Sequence, residues 1–184
     1  GLAEAFITGG LPPLEASADD VYRQTYKRCA EKNRSYYRRF PEDVERVWQV
    51  VKYLESRRVE LPGGGRLSTR RFQQLGLGLG MSDGFAPVHY LLEDAFVDTK
   101  SGRELGYGFL RGVENALAYE TNPLFVVLHE ACYTQGVASK WAAQRIRAEH
   151  PEFELEDGTP VFFTGEMIYP WMFEDYEGLR DLKG

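Results

Sequence analysis

Apolar and polar positions along most of the chain repeat with the spacing of amphipathic helices. After Pro41, apolar residues recur three and four positions apart, at Val44, Val47, Trp48, Val51 and Leu54. This spacing places them on one face of a helix, and a proline suits the first turn of such a helix. The pattern therefore predicts a helix with one buried face.

An earlier helix is predicted to begin near Ser17. The Ser17 hydroxyl can cap the segment that begins Ala18-Asp19-Asp20, whose acidic side chains suit the positive end of the helix dipole. We expect this helix to run to about Arg39.

Helical signals continue to residue 149. Ser68 opens a helix that the glycines at 76, 78 and 80 interrupt, and Asn122-Pro123 caps an apolar segment. The other predicted helices cover residues 84–97, 103–119, 123–134 and 137–149. With about seven helices in total, the expected fold class is mainly α.

The two ends of the chain differ from this helical middle. The start, GLAEAFITGGLPPL, joins an apolar stretch to glycine and proline pairs, which predicts a strand followed by an abrupt turn. The last residues are rich in aromatics and resemble an unfinished helix, so both ends look cut. We expect residues 1–14 to form a sheet strand with a linker, and residues 15–184 to form a helical domain.

Composition narrows the class of protein. The 22 basic and 28 acidic side chains give a net charge of -6, which disfavours nucleic acid as a partner. No apolar run reaches the ~20 residues of a membrane span and no secretory leader is recognisable, so we expect no membrane association and a cytoplasmic location. Cys29 and Cys132 match no disulfide or metal spacing, and we expect reduced, partly buried thiols.

Common catalytic motifs are not found in the sequence. The glycines of residues 75–84 lack a phosphate-loop pattern and favour a helix break or close helix contact. His129-Glu130 begins a zinc-protease motif, but Tyr133 stands where the second histidine is required. No nucleophile elbow GxSxG occurs. We therefore assign no catalytic residue, and expect no metal and no cofactor.

Two carboxylates stand in apolar surroundings. Glu130 follows LFVVLH, and Glu166 lies within FFTGEMIYPW. Such a carboxylate must be paired, hydrogen-bonded or protonated, because burial of a lone charge costs several kcal/mol. Composition alone favours a salt bridge to an arginine. The alternative is an anionic pocket for a ligand cation, flanked by the aromatic side chains of this sequence.

Six strings of the sequence carry a family resemblance: GLPPL, KNRSYYRRFPEDVERV, LPGGGRLSTRRFQQLGLGLG, GFAPVHYLLEDAF, LHEACYTQGVASKWAAQR and FTGEMIYPWMFEDY. Together they resemble the longer bacterial proline iminopeptidases over nearly the whole chain. The resemblance implies an α/β-hydrolase with a helical cap that is inserted between the catalytic serine and the catalytic Asp and His. This chain would correspond to the cap with one strand of the core, and would be inactive without the core.

The resemblance also implies a substrate site for peptides with an N-terminal proline. In that family two cap glutamates bind the free amine, and Glu130 and Glu166 match their positions. Leu11, Tyr22 or Tyr26, and Tyr133 are candidates for the pocket of the proline ring. The implied partner is the hydrolase core of the same parent chain. Two other functions stay open: the cap of an esterase or epoxide hydrolase, and a free-standing helical binding module.

Overall fold

A computed structural model describes residues 1–6, 8 and 15–183, without the side chain of Ala118. Within these residues the structure is mainly α, as the sequence predicts. The helices are α1 Ala18–Arg39, α2 Asp43–Ser56, α3 Thr69–Gln73, α4 Phe85–Glu93, α5 Tyr107–Ala116, α6 Pro123–Leu128, α7 Ala142–Arg147 and α8 Met172–Asp175. Short 3₁₀ helices occur at Gln74–Gly80, Ala118–Thr121, His129–Tyr133, Pro151–Phe153 and Glu177–Leu182.

The first two helices form as their sequence signals predict. The Ser17 hydroxyl accepts a hydrogen bond from the Asp20 amide at 3.2 Å, and α1 follows directly. The apolar face of α2 is buried, with Val47 and Val51 fully inaccessible. Pro41 lies in the turn before α2 rather than in its first helical turn.

A β-hairpin lies where the end of one predicted helix and the start of the next were expected. Residues 84–97 and 103–119 were expected to be helical, but β1 Phe96–Thr99 and β2 Gly102–Leu105 pair antiparallel, with Phe96 opposite Leu105. Gly102 adopts φ 115°, a conformation that side chains disfavour and that a tight turn requires. This prediction was wrong because the turn chemistry outweighed the helical spacing.

The predicted helices at 123–134 and 137–149 are both shorter. Helix α6 ends at Leu128 and tightens into the 3₁₀ segment His129–Tyr133. Helix α7 begins only at Ala142, because Lys140 and Trp141 have φ of 53° and 57° and cannot continue a right-handed helix.

A mostly buried extended segment, residues 161–169, follows the exposed residues 159 and 160 and passes through the core without joining a sheet. Side chains of the helices bind its backbone in place of a neighbouring strand. The Trp48 indole donates to Thr159 O at 2.7 Å, and the Tyr37 hydroxyl donates to Val161 O at 2.6 Å. These bonds fix the path of the chain up to Glu166.

The glycine-rich turn packs directly against this segment. A Cβ atom at Gly76 would collide with the Thr164 carbonyl oxygen and lie 2.6 Å from Phe163 Cβ. The glycine is therefore required by close backbone approach, although its partner is this non-helical segment and not the helix that the sequence suggested.

The N-terminal residues 1–6 and 8 are exposed, and none of them belongs to a strand. The rest of the predicted strand and linker, including Leu11, lies outside the described residues. The division at residue 14 therefore stays a prediction. None of the described helices is both long and apolar enough to cross a bilayer.

Candidate functional site

Glu130 is held by the first turn of α7. Its two carboxylate oxygens accept the backbone N–H groups of Ala142 and Ala143, each at 3.0 Å. The residue is buried, and it forms no ion pair with any residue that the structure describes. The expected arginine partner is therefore replaced by backbone donors, which are available because α7 begins beside the 3₁₀ segment that carries Glu130.

Glu166 emerges from the buried extended segment and is exposed to solvent. It borders a cavity of about 310 Å³ together with Leu77, Met81, Tyr119 and Phe125. Within the described part of the chain it too has no ion-pair partner. Its negative charge is thus available to a ligand.

A chain of aromatic rings connects the surroundings of the two glutamates. The Tyr22 and Tyr133 rings meet edge to face at 6.0 Å, and Tyr133 meets the His129 ring at 5.4 Å. The His129 ring in turn lies 4.6 Å from the Phe125 ring, which borders the Glu166 cavity. The sequence-predicted residues Tyr22, Tyr133, Glu130 and Glu166 therefore share one neighbourhood.

Several buried polar atoms in this neighbourhood lack a partner. Among the described residues, Tyr119 Oη and His129 Nε2 are buried without a hydrogen bond, and Tyr22 Oη, also without one of ordinary geometry, lies against the Glu130 carboxylate. Burial raises the pKa of the Tyr22 and Tyr119 phenols, and the nearby charges of Glu130 and Glu166, respectively, raise it further. An unpartnered buried polar group costs ~1–3 kcal/mol. Groups of this kind around two carboxylates mark a place where a polar ligand or water completes the structure.

His129 lies between the two carboxylates and is 9% exposed. Burial lowers the pKa of His129, while the charges of Glu166 and Glu130 and the Glu166 backbone oppose this effect. The imidazole is therefore neutral at neutral pH, and one of its ring nitrogens is a potential hydrogen-bond acceptor. Sequence reasoning missed His129, Tyr119 and Phe125. The four-residue spacing of Phe125 and His129 on one helical face was the available signal.

Tyr26 has a structural position instead. Its hydroxyl hydrogen bonds to Ala143 O at 2.9 Å and to the Tyr169 hydroxyl at 2.8 Å. These partners occupy the Tyr26 hydroxyl, so Tyr22 is the better candidate of the two to contact a ligand.

A second histidine-carboxylate pair serves the core. Buried Asp43 lies 3.0 Å from His89 Nδ1 and accepts hydrogen bonds from Tyr36 and, at 2.8 Å, Arg46. The described residues contain no group of three or more His, Cys, Asp or Glu arranged around a metal. Cys29 is partly buried, as expected, whereas Cys132 is exposed and that prediction was wrong.

Comparisons with known proteins identify the relatives of this chain. No protein-family model matches the sequence. The chain is 45% identical over 182 residues to a protein of Aeromonas sobria named "Proline iminopeptidase", and 37% identical over 183 residues to "Proline iminopeptidase aneH" of Aspergillus aculeatus. The chain is homologous to a segment of the proline iminopeptidases.

The match to the proline iminopeptidases covers 99% of this chain in both cases. It covers 42% of the Aeromonas protein and 40% of the Aspergillus protein, so the chain spans about two fifths of the relatives' length. The resemblance seen in the sequence is thereby confirmed. The roles of Glu130, Glu166, Tyr22 and Tyr133 stay predictions.

Proposed function

We propose that this chain is the substrate-selecting cap of a proline iminopeptidase, which releases N-terminal proline from peptides. The observation that carries the proposal is the set of unpartnered buried polar atoms around Glu130 and Glu166. Neither carboxylate has an ion-pair partner among the described residues. A ligand cation with N–H donors would satisfy both features.

The N-terminal amine of a prolyl peptide has the required chemistry. It is a charged secondary amine with two N–H donors, and charge-assisted hydrogen bonds are worth ~1.5–3 kcal/mol each. Glu166 offers a whole carboxylate. Glu130 retains further lone pairs after accepting the two backbone N–H groups of α7, because each carboxylate oxygen accepts more than one hydrogen bond.

The aromatic rings supply the apolar part of the site. Tyr133 is half-buried, and its ring stands between the rings of Tyr22 and His129. Aromatic faces attract cations and also pack well against an aliphatic ring. We therefore assign the proline ring to the Tyr22 and Tyr133 side of the site, with Leu11 as a further candidate.

The bond-breaking step belongs to residues outside this chain in the proposal. A serine would attack the prolyl carbonyl, as the resemblance implies, while this chain fixes the amine and thereby the bond that is cut. Without that core, the chain is expected to have no peptidase activity. Turnover of a prolyl anilide by the purified chain alone would contradict this assignment.

The test is Glu166→Gln in the full-length protein that carries this chain. We expect kcat/KM for a prolyl anilide to fall by roughly tenfold to a hundredfold, because one charge-assisted interaction is lost. An ester without an amine should react nearly as before. Glu156→Gln, an exposed acidic residue away from the site, is the matched control. Equal losses on both substrates would favour the cap of an esterase or epoxide hydrolase instead.

A further inference from the structure

A groove leads from Glu166 along α1 to unpaired cations. It is a cleft of about 420 Å³ between α1 and the 3₁₀ segment Gln74–Gly80. Glu166, Leu77 and Met81 line it, and Arg28 and Lys32 contribute from α1. We call this cleft the α1 groove.

The α1 groove is continuous with the proposed amine site. It shares Leu77, Met81 and Glu166 with the cavity that Tyr119 and Phe125 border. A ligand bound through its amine at Glu166 can therefore extend into the α1 groove.

Arg28 and Lys32 are available to a ligand. Both are exposed, and neither forms an ion pair within the described part of the chain. They stand four residues apart on one face of α1, about 6 Å along the helix axis. One residue of an extended peptide covers ~3.3–3.6 Å, so the axial spacing of the two cations is a little under two residues of an extended substrate.

We propose that Arg28 and Lys32 form a carboxylate subsite, so that the protein prefers short prolyl peptides with a carboxylate two or three residues from the amine. This proposal rests on the proposed function. The negative end at Glu166 and the positive end at Arg28 and Lys32 complement a zwitterionic peptide, whose amine is positive and whose carboxylate is negative.

The neighbouring charges limit the subsite to these two cations. A further cleft of about 550 Å³ continues along α1 past Arg28 and Lys32 to Arg39, but Glu31 also lines it. Glu31 lies one turn from Arg28 and next to Lys32, so it offsets part of the positive charge of that cleft, and Arg39 lies about two turns beyond it. Glu166 lines the α1 groove and Arg39 does not, so a peptide held by its amine at Glu166 reaches Arg28 and Lys32 before Arg39.

The experiment compares Pro-Gly-Gly with its C-terminal amide in the full-length protein. We expect the free acid to have a kcat/KM about two- to fivefold higher per cation engaged, and the difference to shrink at high salt. Pro-Glu-Gly amide tests whether a side-chain carboxylate can replace the C-terminal carboxylate. If it can, this peptide should have a higher kcat/KM than Pro-Gly-Gly amide. Arg28→Gln and Lys32→Gln should each reduce the preference, whereas Lys27→Gln, on the same helix outside the groove, should keep it.

Each outcome decides between the two proposals. If the free acid and the amide react equally in the wild type, or if the preference survives in Arg28→Gln and Lys32→Gln, the subsite is overturned while prolyl peptidase activity stands. If neither peptide is cleaved, the proposed function fails and the subsite fails with it.

Discussion

Asn33 and Phe163 are joined by two hydrogen bonds that imitate a pair of β-strands. The Asn33 amide Nδ2 donates to Phe163 O at 2.8 Å, and its Oδ1 accepts from Phe163 N at 2.7 Å. Both residues are fully buried. One side chain of α1 therefore satisfies the backbone of the extended segment that carries Glu166 three residues later.

The Asn33 pairing predicts a large loss of stability in Asn33→Ala. The substitution leaves the buried N–H of Phe163 without its partner, at ~1–3 kcal/mol, and leaves the Phe163 carbonyl with only the weak Cys29 Sγ donor at 3.3 Å. We expect the free energy of unfolding in urea to fall by about 2–4 kcal/mol. Gln24→Ala, an exposed position on the same helix, should change it by no more than about 0.5 kcal/mol. Similar values for the two variants would contradict the role of Asn33.

Local signals predicted the helices better than the contacts that join them. Ser17 and the apolar face of α2 are read from neighbouring residues, and both helices form as predicted. Asn33 bonds to a residue 130 positions away, and no local spacing indicates such a partner. The same limit applies to Glu130, whose apolar surroundings predicted a paired carboxylate but not that α7 supplies the pairing.

The sequence did not predict the hairpin or some of the site residues, and the reasons are related. Phe96 and Leu105 fit a helical spacing equally well, and the turn at Gly102 decides for strands. The sequence supports neither a zinc site nor a catalytic base at His129. Its position between two carboxylates depends on the 3₁₀ turn that follows α6 and on the approach of Glu166 from the far end of the chain.

The two cysteines should react at very different rates. Burial raises the pKa of the Cys29 thiol to about 12, whereas Cys132 is exposed. At pH 8 only about one Cys29 thiol in ten thousand is ionised, and the thiolate is the reactive form. We expect one fast thiol in the native protein with an aromatic disulfide reagent, and a second only after denaturation. Cys132→Ser should remove the fast phase, and two fast thiols in the native chain would contradict the burial of Cys29.

His129 should titrate below the ordinary histidine range. Its pKa is lowered by burial, so the unfolded state binds a proton first as the pH falls. The contribution of the neutral ring to stability is therefore complete above about pH 6.5 and is lost progressively below it. An NMR titration of the His129 ring should give a midpoint below about 6.5.

The neighbouring carboxylates provide the control for His129. Glu166 raises the pKa of His129 against the effect of burial. Glu166→Gln should therefore lower the titration midpoint further, whereas Glu156→Gln should leave it in place. A midpoint that does not respond to Glu166→Gln would place the Glu166 carboxylate away from the ring.

Substitution of Glu130 and substitution of Glu166 should affect stability differently, although we propose that both residues bind the same ligand. The Glu130 carboxylate accepts two backbone N–H groups of α7, and the amide of Glu130→Gln offers one acceptor oxygen while its NH₂ group faces the other N–H. We expect Glu130→Gln to lower the free energy of unfolding by about 1–3 kcal/mol. Glu166 is exposed and accepts no such bonds from the described residues, so Glu166→Gln should stay within about 0.5 kcal/mol of the wild type. Urea unfolding measures both values, and prolyl anilide hydrolysis by the folded full-length variants measures the binding role.

If Glu130→Gln keeps full activity once folded, Glu130 serves α7 alone and the amine is bound by Glu166. If instead both folded variants lose activity on the anilide and keep it on an amine-free ester, the charge of each glutamate reaches the substrate.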